Sequence, residues 1–359
     1  SAAGTTLAAT PINCFVDQNG RLWVSDFSNN RVLRFDNASS IASGTAVADG
    51  VIGQADFTTG TSGTTAGKLA GPVTVYVDKT GRLWVIGFSN HRVTWYNNAA
   101  AKANGADADG VLGQPDFTTG TSGLTASKMS SPNSVYVDDE GRLWVTDSGN
   151  KRVLRFDSAA TKAAGAAADG VLGKPDFTTN TPGTASQSNL GSLRYVYGDA
   201  AGRLYVIGED HNRILVYNDA KNKANGANAD YVLGQPDFTT SAAANPPTAS
   251  SFNTPRALYV DDLYARIFVA DYNNHRILRF EIPRAGQKVL TLTSPAGGET
   301  WDVNTAHPVT WSSNSVEKVR IRFTADNGAN WTTLADSLAA VSGSYSWTVP
   351  NAATVQARI

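Results

Sequence analysis

Residues 139–157 read DEGRLWVTDSGNKRVLRFD. Residues 142–145 and 152–156 are short runs rich in β-branched, aromatic and aliphatic side chains. The polar stretch 147–150 between them has the composition of a tight turn. Nearly the same stretch recurs as NGRLWVSDFSNNRVLRFD from Asn19, TGRLWVIGFSNHRVTWYN from Thr80, AGRLYVIGEDHNRILVYN from Ala201 and YARIFVADYNNHRILRFE from Tyr264. A stretch used five times is a building unit before it is a site.

Each copy follows an apolar run that closes on an aspartate: Asp17, Asp78, Asp138, Asp199 and Asp261, spaced 61, 60, 61 and 62 residues apart. Each unit opens at a proline (Pro11, Pro72, Pro132, Pro255), with Leu193 in the fourth. A further apolar run trails the first four units: GVIGQADF from Gly50, GVLGQPDF from Gly110, GVLGKPDF from Gly170 and YVLGQPDF from Tyr231. Four short antiparallel strands cannot cover both faces of their own sheet, and radial stacking of such units can. The expected fold is an all-β propeller of five visible blades. Trp23, Trp84, Trp144, Tyr205 and Phe268 share one position in the second strand and are expected to pack between blades. Five strand triplets against four trailing runs predict that blade five has three strands, unless residues 1–10 or 282–292 supply a fourth. The sequence is expected to continue beyond both ends, and a sixth blade would need a unit upstream of Ser1.

The pattern Pro, Val-x-Val-Asp, then Gly-Arg-Leu-Trp-Val-x-Asp-x-x-Asn-x-Arg-Val-Leu-Arg-Phe resembles the NHL repeat over residues 11–281. The units are longer than is usual for that family, the excess lying in their connections. The resemblance implies an NHL-type β-propeller over residues 1–281, followed by a Pro/Gly-containing linker at 282–287. Residues 288–359 then carry SPAGGETW, VTW, DNGANW and YSWTVP on alternating runs. These elements resemble the Ser/Thr-rich cell-wall-associated domain of fungal and bacterial secreted proteins, which implies an immunoglobulin-like β-sandwich with Trp301, Trp311, Trp331 and Trp347 in its core or edges.

Charged residues make up 17% of the chain, against roughly 25% in ordinary soluble domains. Net charge is −1, so no bulk field draws nucleic acid or an anionic membrane. No apolar run approaches the roughly 20 residues of a membrane-spanning helix. Cys14 is the single cysteine and excludes an internal disulfide; it aligns with Val75 and Val135 and is expected to be buried as a small apolar residue. The Thr/Ala/Gly/Asn-rich composition points to an extracellular or cell-surface protein of bacterial type.

The resemblance also sets an enzymatic alternative, since calcium-dependent lactonases and lyases on such propellers need carboxylates or histidines converging on the central channel. The expected channel-lining residues are Asn13, Thr74, Asn133, Arg194 and Arg256, none of them a carboxylate or histidine. His91 and His275 share a turn position and His211 lies one residue earlier, in separate blades, so no metal site is expected. Asp26, Asp147 and Asp271 read as turn carboxylates that accept backbone N–H groups. No phosphate-cradling loop or nucleophile turn is present, and no catalytic residue or cofactor is expected. The turns between the second and third strands of each unit and the interblade linkers leave a blade at the same end, where Phe27, Asn29, Phe88, His91, Asn150, His211, Tyr272 and His275 gather as candidate binding residues. The expected function is a non-enzymatic extracellular propeller that binds a surface protein or glycan, or assembles with its own copies. The alternative is a metal-dependent lactonase or lyase-type propeller enzyme.

Overall fold

The computed structural model describes residues 11–40, 46–181, 183–282, 289–314, 316–351, 354 and 357–358. Two compact units divide the chain, Ser1–Phe280 and Glu281–Ile359. The first unit is a series of antiparallel sheets. Blade one holds β1 (Pro11–Val16), β2 (Leu22–Asp26), β3 (Arg31–Phe35) and β4 (Gly50–Ile52); blade two holds β5 (Pro72–Val77), β6 (Leu83–Gly87), β7 (Arg92–Tyr96) and β8 (Gly110–Leu112). Blade three holds β9 (Pro132–Val137), β10 (Leu143–Asp147), β11 (Arg152–Phe156) and β12 (Gly170–Leu172). Blade four holds β13 (Leu193–Gly198), β14 (Leu204–Gly208), β15 (Arg213–Tyr217) and β16 (Tyr231–Leu233). Blade five holds β17 (Pro255–Asp261), β18 (Arg266–Asp271) and β19 (Arg276–Glu281). Strand order within every blade follows the sequence. The first strands pack in succession, β1 on β5, β5 on β9, β9 on β13 and β13 on β17. This is an all-β propeller.

The turns explain the recurring polar residues. Asn30, His91, Lys151, Asn212 and His275 each take a left-handed backbone conformation, with φ of 51 to 53°, to reverse the chain between the second and third strands. The turn between the first and second strands uses Gly20, Gly81, Gly141 and Gly202 with φ of 75 to 78°; Ala265 takes φ of 54° in the last blade. The aspartate closing each first strand organises that turn. Asp78 accepts the Thr80 and Arg82 N–H groups at 2.9 and 3.1 Å, and its other oxygen accepts the Trp84 indole N–H at 2.9 Å. Trp23 reaches Asp17 at 3.0 Å, and the Tyr205 hydroxyl reaches Asp199 at 2.9 Å. The rings themselves are buried against the following blade: Trp84 with Val135 and Val145, Trp144 with Leu193 and Val196.

A second repeated residue ties each blade to its linkers. Arg152 is fully buried, with Nε on Asp147 at 2.7 Å, Nη2 on the Thr125 and Lys128 carbonyls at 2.9 Å each, and Nη1 on the Phe177 carbonyl. Asp147 also accepts the Ser130 N–H at 2.6 Å and the Asn150 amide at 2.8 Å. Blades one and five repeat the pair as Arg31–Asp26 at 2.7 Å and Arg276–Asp271 at 2.8 Å. Asp147 and Asp271 accept backbone N–H groups, as expected of turn carboxylates, and all three aspartates also neutralise a guanidinium, which is fully buried in blades one and three.

Cys14 departs from its expected burial: it is exposed, whereas Val75 and Val135 are buried. The repeat alignment is sound. What differs is that β1 has β5 on one side and, among the described residues, no comparably packed strand on the other, so Ile12, Cys14 and Val16 face outward. Blade five has three strands among the described residues. Residues 289–294 do not complete it; they pair with 306–314 in the second unit. Residues 1–10 lie outside the described residues.

The second unit holds β20 (Val289–Ser294), β21 (Ala306–Asn314), β22 (Lys318–Phe323), β23 (Thr332–Ala339) and β24 (Ser344–Thr348), in sheets β20-β21-β24 and β22-β23. Val309, Trp311, Ile321, Phe323 and Trp347 form its core, Trp301 packs against that core, and Trp331 is exposed. No helix among the described residues is long and apolar enough to cross a membrane.

Two outcomes are expected. Replacing Arg152 by Met strands the buried Asp147 carboxylate, and unfolding in urea should show a loss of about 3–5 kcal/mol; an equal loss from the exposed-pair variant Lys79→Met would refute the burial account. In the four trailing motifs, hydrogen bonds from Thr58, Thr118, Thr178 and Thr239 hold the Asp56, Asp116, Asp176 and Asp237 carboxyls down at about 2. A depressed folded-state value means this stabilisation is complete above the ordinary carboxylate range and is lost as pH falls from about 4 to about 2. Asp116→Asn should therefore flatten the acid limb of a stability-versus-pH curve.

Candidate functional site

The turn residues at the linker end divide into two groups. The larger group is engaged in holding linkers. The Asn30 amide donates to the Gly60 carbonyl and accepts the Gly71 N–H, both at 2.9 Å. At the same position His91 Nδ1 accepts the Ser131 N–H at 3.0 Å, and Asn212 accepts the Thr254 N–H at 2.7 Å. Burial lowers the His91 pKa, and this hydrogen bond uses its ring as a neutral acceptor. Asn29 donates to Asp26 at 2.9 Å, and Asn150 donates to the Gly123 carbonyl at 2.8 Å. The Phe27 ring lies over Gly71, and Phe88 packs against the cluster of Trp84 and Val135. His275 serves as the left-handed turn residue of blade five.

Blade four breaks the pattern. Where blade one has Asp26-Phe27-Ser28-Asn29, it has Gly208-Glu209-Asp210-His211. Glu209 accepts from Arg256 Nε at 3.0 Å, and the Arg256 guanidinium lies 3.6 Å from the centre of the Tyr272 ring, stacked on it. Asp210 accepts the Ser192 N–H at 2.7 Å and the Ser192 hydroxyl at 2.9 Å. His211 sits against Gly191, with Nδ1 buried and without a hydrogen-bond partner. Burial lowers its imidazole pKa, with Arg213 and Lys151 acting in the same direction and Asp210 opposing. At neutral pH the ring is uncharged.

The expected channel residues are spread over this surround. Asn13 accepts the Val75 N–H at 3.2 Å and hydrogen-bonds the Tyr195 phenol; Thr74 donates to the Asn133 carbonyl at 2.6 Å. Asn133 and Arg194 are half-buried. Arg256 is drawn from the bare cationic channel expected for it into the Glu209–Tyr272 contact. Sequence reasoning passed over Glu209, although a signal existed: at its turn position the other blades have Phe27, Phe88, Ser148 and Tyr272, none ionised at neutral pH. Glu209, Arg256 and Tyr272 are in contact and offer a carboxylate, a guanidinium for an anionic oxygen and a phenol, while His211, two residues along the same turn from Glu209, offers an uncharged imidazole whose ring lies against Gly191.

The opposite end of the blades holds a feature the sequence did not announce. Tyr76, Tyr136 and Tyr197 contact one another, with ring centres 5.1 to 6.5 Å apart, and form the wall of a cavity of about 390 Å³ between blades three and four. Asp139, Glu140, Asp199 and Asp262 line it with Arg142, Arg203 and Lys221. Asp262 accepts the Ala200 N–H at 3.1 Å, and burial, with the nearby Asp199 and Asp139 charges, raises its carboxyl pKa. Among the described residues no three His, Cys, Asp or Glu side chains converge as metal ligands at either end. The side chains present therefore do not fit the metal-dependent form of the enzymatic alternative.

The NHL repeat model matches residues 129–156. No curated protein matches the chain. Among solved structures, the chain is similar to a streptogramin B lyase structure at 10% identity, covering 91% of this chain and 83% of that one with a TM-score of 0.41. It is similar to virginiamycin B lyase from Staphylococcus aureus at 11% identity, over 76% of this chain and 84% of that one, TM-score 0.40. A catalytically inactive variant of the same lyase with quinupristin gives 10% identity, 90% and 83% coverage and a TM-score of 0.39. All three titles name a lyase, the third as an inactive variant, and this is the finding that stands against the expectation of a non-enzymatic surface protein. At such identities and TM-scores any reaction has to rest on this chain's own residues. The chain carries an NHL repeat at residues 129–156 within an all-β propeller.

Proposed function

We propose that the propeller is a lyase-type enzyme for an anionic small molecule, run by acid–base side chains of blades four and five without a resident metal. The observation that carries this reading is the turn Gly208-Glu209-Asp210-His211, which concentrates titratable groups where the other blades place linker-holding residues. Arg256, held flat by Tyr272, presents its planar donors to a substrate carboxylate or a developing enolate oxygen. His211, kept uncharged by burial, or Glu209, released from Arg256 when substrate takes the guanidinium, removes the proton beside that carbonyl. Departure of the β-substituent then completes an elimination, with the proton on the base and the electron pair on the leaving group. The Ser/Thr-rich motifs of the second unit favour an extracellular setting and an immunoglobulin-like sandwich for that unit.

The test is an assay of the purified chain on esters, lactones and uronate-bearing glycans, following the ultraviolet absorbance of an unsaturated product. His211→Ala and Glu209→Gln should each lower kcat/KM by ~10²–10⁴ while the melting temperature stays near that of the parent. Because burial lowers the His211 pKa, the base form persists below the ordinary imidazole value, and the acid limb of kcat/KM should fall below pH 6.5. Activity that survives both variants but is lost in Asp262→Asn would move the chemistry to the tyrosine-walled cavity and overturn this assignment. Absence of turnover on every substrate class would overturn the enzymatic reading.

A further inference from the structure

Blade two lacks the carboxylate that blades one, three and five place against the arginine that opens their third strand. In those blades Nε of Arg31, Arg152 and Arg276 meets Asp26, Asp147 and Asp271 at 2.7, 2.7 and 2.8 Å. The second oxygen of Asp147 and of Asp271 accepts a backbone N–H, from Ser130 and Asn253, at 2.6 Å each. The aspartate thus collects a guanidinium, a backbone N–H and the side-chain amide of Asn150 or Asn274.

Gly87 stands at the aspartate position of blade two. Arg92 is nevertheless as buried as Arg31 and Arg152, and its two terminal nitrogens are used as those of Arg152 are, on the Phe117 carbonyl at 2.7 Å and the Thr65 and Lys68 carbonyls at 2.9 and 3.1 Å. Its Nε has no partner. The Ala70 N–H, counterpart of the Ser130 N–H, donates to nothing among the described residues. The place itself is open: a methyl group on Gly87 would meet nothing closer than 3.6 Å. Two donors therefore face the space where a carboxylate sits in blade three. No acidic side chain of the described residues lies within ion-pair distance of Arg92. Asp116 acts on Arg92 only from beyond ion-pair distance, burial lowers the guanidinium pKa despite it, and a water molecule can satisfy the two donors without adding a contacting counter-charge.

We propose that blade two binds a small monovalent anion of chloride size between Arg92 Nε and the Ala70 N–H, in the place that the Asp147 carboxylate fills in blade three. The site is separate from the Glu209–Arg256 group and independent of the enzymatic reading. Blade four shows the contrast. It also has a glycine, Gly208, and an Arg213 Nε without a partner, but the Leu190 carbonyl oxygen would lie 2.5 Å from a methyl group there and the Gly191 N–H is taken by Asn189 at 3.1 Å. That place is closed, and the assignment is confined to blade two.

Crystals of the full chain grown in sodium bromide test this directly. An anomalous peak within hydrogen-bond reach of Arg92 Nε is expected in the parent and not in Gly87→Asp, whose carboxylate replaces the ion. In solution, exchanging chloride for gluconate at constant ionic strength should lower the parent's melting temperature by on the order of 2 °C and leave that of Gly87→Asp unchanged. Bromide confined to surface arginines, or a water at the site with an anion-independent melting temperature, overturns the proposal. Should Gly87→Asp not fold, the parent crystals decide it alone.

Discussion

A fully buried arginine opens the third strand of blades one to four, and the order of the linker end depends on how its charge and its donors are met. The guanidinium reaches three linker carbonyls in a typical blade, those of Phe177, Thr125 and Lys128 around Arg152, so one side chain fixes both the incoming and the outgoing connection. Lysine could not replace it, because a single ammonium lacks the planar fork that spans these acceptors. In blades one and three an aspartate on Nε keeps this arrangement from burying a bare charge. Long linkers rich in Gly, Thr and Ser would otherwise lose considerable entropy on ordering, and here each is tied down by buried hydrogen bonds instead.

That constraint reassigns the polar turns. Asn30, His91 and Asn212 look like a recognition surface when read as a row of exposed loop residues. Each instead accepts a backbone N–H just ahead of the next blade, so the row is a set of interblade clasps. What is left over is informative. Blade four gives up the aspartate and the asparagine together, and the side chains that take their places, Glu209, Asp210 and His211, include a glutamate that turns toward blade five. A repeat protein can gather chemistry at one point only where a blade is released from repeating.

The two ends of the propeller are built on different principles. At the linker end, ionised groups stand on turns that the arginines hold rigid, which is the condition for a preorganised polar site. At the other end, tyrosines from successive first strands meet, and burial raises the Tyr136 and Tyr197 pKa values, so these phenols stay protonated at neutral pH. The cavity they wall is acidic by excess of carboxylates, yet Asp138 and Asp199 are already committed to Arg142 and Arg203 at 2.9 and 2.5 Å. Asp262 is the lining carboxylate whose pKa burial raises.

The sequence by itself determined the fold class, because period, strand alternation and turn chemistry all repeat in register and no other arrangement covers both faces of such sheets. It also marked Trp23, Trp84 and Trp144 as packing residues, since a position filled by an aromatic ring in every blade serves the blade. Tertiary structure alone decided what depends on neighbours distant in the chain. Exposure of Cys14 follows from the lack, among the described residues, of a comparable strand against β1, which no alignment of Cys14 with Val75 can reveal. The pairing of Glu209 with Arg256 spans 47 residues and two blades. Burial of Arg92 beside Gly87 leaves a charge without its partner, and the sequence shows only a small residue where an aspartate stood. Repetition is legible along the chain; compensation of charge and coverage of surface are properties of space.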